Sequence, residues 1–156
     1  MNLSIGLISK MALVISSTAF SNNGMIPREY TCEGGGKNPP LSISGYPQTT
    51  KSLVVIVEDP DTDKGTFDHW VVWNIKPAES IGENSVPGTE GKNGEGKLGY
   101  KGPCPPTGKH RYFFKVYALD TMLNLEKGST KKQVEDAMQG HILADGVLIG
   151  LYEKHK

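Results

Sequence analysis

Apolar residues come in short runs divided by polar, turn-rich stretches. Residues 53–57 (LVVIV), inside the segment 51–58, are apolar without a break, so this strand is expected to be covered on both faces. Residues 69–75 (HWVVWNI) alternate instead. A period of two puts His69, Val71, Trp73 and Ile75 on one face of a second strand and Trp70, Val72 and Asn74 on the other. Residues 111–120 (RYFFKVYALD) read as a third strand with Tyr112, Phe114, Val116 and Ala118 on one face. Residues 146–152 (GVLIGLY) read as a closing strand, and 14–20 as an extended segment ending at the turn Ser21-Asn22-Asn23-Gly24. A short extended piece falls at 41–44, within an otherwise loop-like stretch from 30 to 47. One helix is expected: Thr130 and Gln133 make a capping box, Val134, Ala137 and Met138 form the apolar stripe, and Gly140 stands where a C-terminal cap belongs. Residues 59–68 are expected to be a polar loop. Residues 76–109 are expected to be a long irregular region whose GPCPP portion is rigid.

The pattern predicts a mainly β, mostly antiparallel sandwich with one or two short helices, in a single domain over residues 1–156 with 1–10 as an N-terminal extension. Composition agrees. The 156 residues include 19 Gly and 10 Pro, well above usual usage, which disfavours a helical bundle or a doubly wound fold. Lys plus Arg and Asp plus Glu are 17 each, for a formal charge of zero. That balance argues against a partner such as nucleic acid or an anionic membrane, both of which reward a positive field. No apolar run is long enough to span a bilayer, so no stable membrane insertion is expected. The apolar start of the chain is interrupted by Lys10 and is read as a first strand after a short extension, not as an export signal. A cytoplasmic location is the expectation. Cys32 and Cys104 form no Cys-x-x-Cys motif and are expected to be reduced thiols; a disulfide would need their two loops to meet in space.

Three strings bear on chemistry. Gly94-x-Gly96-x-x-Gly99 matches a dinucleotide fingerprint literally, but it follows a polar loop and runs into prolines, so it is read as a flexible loop. Asp59-x-Asp61-x-Asp63 opens like an EF-hand loop, yet Lys64 and Trp70 stand where glycine and glutamate are required. The third signal joins separate segments. Asp59 and Asp61 follow the first strand, His69 begins the second, and His110 precedes the third on the face of Tyr112. If these strands are neighbours, two imidazoles, a phenol and loop N–H groups meet at one sheet end, with a carboxylate to orient an imidazole and raise its pKa. Such a site suits a small anion or a zwitterion such as phosphoethanolamine. Read singly, each residue is as well explained by turn or core structure.

These segments resemble the phosphatidylethanolamine-binding protein family, also called Raf-kinase-inhibitor-protein-like, and its bacterial branch in particular. The matching strings are Asp59-Pro60-Asp61, the run from His69 to Ile75, Gly99-Tyr100-x-Gly102-Pro103-Cys104-Pro105-Pro106 and Gly108-Lys109-His110-Arg111-Tyr112. Tyr30-Thr31-Cys32, Pro39-Pro40-Leu41 and His141-x-Leu143-Ala144-x-Gly146 extend the likeness over most of the chain. The resemblance implies a central antiparallel sheet packed on a smaller one and a ligand pocket for phosphate-like anions. Carried over, that pocket uses Asp59, His69, His110 and Tyr112, with Asp61 and the Cys104–Pro105 turn as its wall. It implies a soluble, non-catalytic binding protein without cofactor or metal, acting on a small anionic or phosphorylated ligand, with a kinase or protease as a protein partner and a homodimer by analogy only. Asp63 stands where many members have proline, so Raf-type inhibition and lipid docking are not carried over. Two rival readings remain: a metal-dependent or His-based hydrolase using the same residues, and an interaction module presenting the loop 76–98 and the segment 120–128.

Overall fold

The computed structural model describes residues 11–155; the N-terminal extension expected over 1–10 lies outside them. Among the described residues the strands are β1 (Met11–Ala12), β2 (Val14–Ser16), β3 (Gly24–Met25), β4 (Leu41–Ser44), β5 (Ser52–Thr62), β6 (Gly65–Ile75), β7 (Ser80–Ile81), β8 (Thr89–Glu90), β9 (His110–Leu119) and β10 (Ile142–Tyr152). One α-helix, α1 (Lys131–Met138), precedes β10, and a 3-10 turn spans Arg28–Tyr30. The large sheet runs β1-β10-β9-β5-β6-β8, with β3 also paired to β10, and a small sheet runs β2-β4-β7. The long strands pair antiparallel, while β1 and β3 join β10 in parallel.

The unbroken apolar run of β5 is explained by its place in the middle of the large sheet. Leu53, Val55 and Val57 point into the core between the sheets, with Ile15, Ile43, Phe114 and Val116. Val54 and Ile56 point the other way, into a second core with Trp73, Leu123, Val134 and Met138. Helix α1 covers that second face. Its capping box forms as expected: the Thr130 hydroxyl accepts the Gln133 N–H, and the Gln133 side chain accepts the Thr130 N–H. Lys131 ties the helix to the sheet through Glu58 (2.8 Å) and Asp68 (2.7 Å).

Three sequence expectations change. The segment 59–68 is not a loop: β5 runs on to Thr62, the chain turns through Asp63 and Lys64, and β6 starts at Gly65 with φ +99°. The face assignment of the second strand also changes, because two bulges break its period. Leu53 pairs with Ile75 but Val55 pairs with Val72, leaving an extra residue on β6 near Asn74, whose φ is +54°. Ile75 therefore joins Trp70 and Val72 between the sheets, while Val71 and Trp73 face α1. The Asn74 amide meanwhile clasps both the N–H (2.8 Å) and the C=O (2.9 Å) of Leu123. Finally, the region 76–109 is not structureless. It carries β7 and β8, and Asn93 organises its glycine-rich part by accepting the N–H groups of Glu95 and Lys97 and donating to the Gly99 carbonyl.

Candidate functional site

The second bulge on β6 builds the site. Val57 pairs with Trp70 and Glu58 with Asp68, so His69 is the extra residue between them. Strict alternation would put His69 on the helix-covered face with Val71. The bulge turns it to the other side, where its ring meets Tyr112 edge-on at 5.2 Å and Phe67 at 4.8 Å. Its Nδ1 donates to the Lys101 carbonyl at 2.6 Å, which fixes the tautomer of the neutral ring and leaves Nε2 as the lone-pair acceptor. Burial holds the His69 pKa below the ordinary imidazole range, against the pull of that carbonyl and of Asp59. For this ring desolvation outweighs the nearby carboxylate, whose hydrogen-bonded partner is the other imidazole, His110.

Asp59 lies just past Glu58, whose partner on β9 is Phe113, so it comes level with the start of β9. It is 2% exposed. One carboxylate oxygen accepts the Asp61 N–H at 2.7 Å, and the other accepts Nδ1–H of His110, the first residue of β9, at 2.6 Å. Tyr112, two residues on, is fully buried beneath the stacked His110 ring. Its hydroxyl has no hydrogen-bond partner within the protein. Burial pushes the Tyr112 pKa up, and the Asp59 charge adds to the effect without a hydrogen bond of good geometry joining the two.

Asp59, His69, His110 and Tyr112 line one cavity of about 340 Å³, with Cys104 and Pro105 in its wall. Asp61 is not among the residues lining it. Its side chain turns outward and grips Arg111 through Nε (3.0 Å) and Nη2 (2.8 Å) as well as the Arg111 backbone N–H. That grip holds the Asp61 pKa at about 2. The sequence reading missed Glu95 and Lys101, an ion pair at 3.4 Å beside the cavity, along with Thr62, Phe67 and Pro106. Glu95 lies within the glycine-rich string. The constrained loop around Asn93 was the signal there, obscured by its likeness to a nucleotide fingerprint.

The wall is also covalently tied. Cys32 and Cys104 form a disulfide, with Cα atoms 5.4 Å apart, which overturns the expectation of two reduced thiols. The loops meet because backbone and side chain bring them together: Cys32 N–H donates to the Pro103 carbonyl (3.1 Å), and the Tyr100 hydroxyl donates to the Tyr30 carbonyl (2.9 Å).

Comparison with known proteins matches this architecture. The family model described as phosphatidylethanolamine-binding protein matches residues 16–153. A UPF0098 protein of Pyrococcus horikoshii is 50% identical, with 93% of this chain and 78% of that protein covered. Another, from Methanothermobacter thermautotrophicus, is 47% identical over 90% of this chain and 98% of its own length. The crystal structure of a phosphatidylethanolamine-binding protein homologue of Chlamydia trachomatis superposes with a TM-score of 0.89 at 46% identity, covering 92% of this chain and 99% of that one. YbcL of E. coli, described as a member of the mammalian family, superposes at 0.84 with 28% identity and the same coverage. By matched length, identity and fold together, the chain belongs to the phosphatidylethanolamine-binding protein family.

Proposed function

We propose that this chain is a binding protein that holds a small anion or phosphate-type group in the cavity enclosed by β5, β6, β9 and the segment 101–106. The observation that carries the reading is the Tyr112 hydroxyl, buried near Asp59 with no hydrogen bond of good geometry in the protein, its residue lining the same cavity as the Asp59–His110 pair and His69. An unmet buried hydroxyl costs about 1–3 kcal/mol, which a ligand oxygen recovers. The wall is held before any ligand arrives, by Pro105, Pro106 and the Cys32–Cys104 bond, so little ordering entropy opposes binding. The family description, phosphatidylethanolamine-binding protein, points to phosphate-bearing groups as the ligand chemistry. Among the described residues, no three His, Cys, Asp or Glu side chains are grouped to hold a metal ion, so the metal-dependent hydrolase draws no support from the geometry. No described helix is long and apolar enough to cross a membrane.

Calorimetric titration of inorganic phosphate into the wild type, Tyr112→Phe and His110→Ala tests the proposal. The expected result is binding by the wild type and affinity about tenfold or more weaker in both variants. Equal affinities in all three folded proteins would remove the cavity from consideration.

A further inference from the structure

The polar atoms around the cavity are rich in acceptors. The His69 ring, locked as a donor to the Lys101 carbonyl, presents its Nε2 lone pair. Asp59 keeps spare lone pairs on both oxygens after receiving His110 and the Asp61 N–H. Glu95 adds a second carboxylate at the side of the cavity. Among the described residues lining the cavity, Lys101 is the one ammonium, and Glu95 already pairs with it. Donors for a ligand are the Tyr112 hydroxyl and the Lys101 N–H groups that Glu95 leaves over, with His110 Nε2 when that ring is charged.

An anion stripped of every proton meets these acceptors with lone pairs of its own. At least one buried acceptor then stays unmet, and the anion lies against a carboxylate that is 2% exposed. An oxyacid anion that still carries one O–H satisfies both sides at once: its charged oxygens take Tyr112 and His110, and its hydroxyl donates to His69 or Asp59.

We infer that the cavity selects tetrahedral oxyacid anions that retain a proton, such as a phosphomonoester or phosphonate monoanion, over sulfates, sulfonates and phosphodiesters, which have none to give. The inference rests on the anion-binding reading above and narrows it. It separates a free or side-chain phosphomonoester from the phosphodiester of a lipid headgroup, which share the phosphate but not the proton.

The test uses three small monoanions of similar size, titrated separately into the wild-type protein at about pH 6: methylphosphonate, which keeps one P–O–H, and methanesulfonate and dimethyl phosphate, which keep none. Methylphosphonate is expected to bind at least about tenfold more tightly than either. Equal affinities, or tighter binding of the sulfonate or the diester, overturn the selectivity and leave the anion-binding reading standing. Binding of none of the three, together with failure of inorganic phosphate to bind, overturns both.

Discussion

Asp59 and His110, 51 residues apart in sequence, share a 2.6 Å hydrogen bond between buried side chains on adjacent strands. The bond closes the edge between β5 and β9 where the backbone ladder has run out at Glu58 and Phe113. Its two partners are not equally replaceable. In His110→Phe the carboxylate stays buried and loses its strongest donor, at a cost of about 3–5 kcal/mol. In Asp59→Asn the amide oxygen still accepts one donor and the burial of charge is relieved, so the loss is about 1 kcal/mol. Urea unfolding at neutral pH should rank stability as wild type, then Asp59→Asn, then His110→Phe. The reverse order for the two variants would mean that water reaches the carboxylate.

Gly102 holds the cavity wall by having no side chain. A Cβ there would lie 2.9 Å from both Cα and C of Thr31 and 3.1 Å from the Cys32 nitrogen, all backbone atoms. Neither chain yields easily, since the disulfide and the Cys32–Pro103 hydrogen bond join them. Gly102→Ala should therefore cost about 1–3 kcal/mol and lower the melting temperature. Gly82→Ala, where a Cβ meets nothing within 4 Å, is the control and should stay within about 0.5 kcal/mol of wild type. Indistinguishable melting of the two variants would show that the wall moves freely.

The Cys32–Cys104 bond closes a sequence separation of 72 residues. Loop-closure entropy for that length contributes about 4 kcal/mol through the unfolded chain. Reduction, or the double change Cys32→Ser with Cys104→Ser, should lower the unfolding free energy by about that amount in urea titrations. An unchanged midpoint after verified reduction would place the stability of these two loops in their hydrogen bonds alone.

What the sequence makes legible is what local rules encode. The continuous apolar run of β5, the alternation from Tyr112 to Ala118 and the Thr130 capping box each carry their structure within a few residues. The likeness to a known family placed Asp59, His69, His110 and Tyr112 at one cavity, which no single segment encodes. The departures share a cause. His69 and Ile75 change face because bulges on β6 shift the register, and a bulge depends on the partner strand. Asp61 leaves the cavity because Arg111 arrives beside it from β9. Cys32 and Cys104 meet because Tyr100 and Tyr30 bring two distant loops together. Glu95 and Lys101 reach the cavity on a loop whose shape comes from the Asn93 side chain rather than from any periodic pattern.

Acid should destabilise this protein partly through carboxylates outside the cavity that are held below their ordinary range, Asp61 and Glu33 among them. The Asp61 pKa falls from the ordinary 3.8 to about 2 through its grip on Arg111. The Glu33 pKa falls from 4.5 to about 2, because the Tyr152 hydroxyl and the His155 N–H donate to it. Both folded pKa values lie below the unfolded ones, so the unfolded chain binds protons first as pH falls. Their contribution is complete above about pH 5 and is lost between about pH 4 and pH 2. Arg111→Gln removes the guanidinium and leaves only the backbone donor on Asp61, which brings that carboxylate back toward its ordinary value. The variant should be less stable than wild type at pH 5, and the gap should narrow as pH falls toward 2. Urea midpoints at pH 5, 3.5 and 2.5 measure that gap. A gap that stays constant across the three would show that Arg111 acts by packing on Phe113, where its guanidinium lies 5.3 Å from the ring centre, and not through the Asp61 charge.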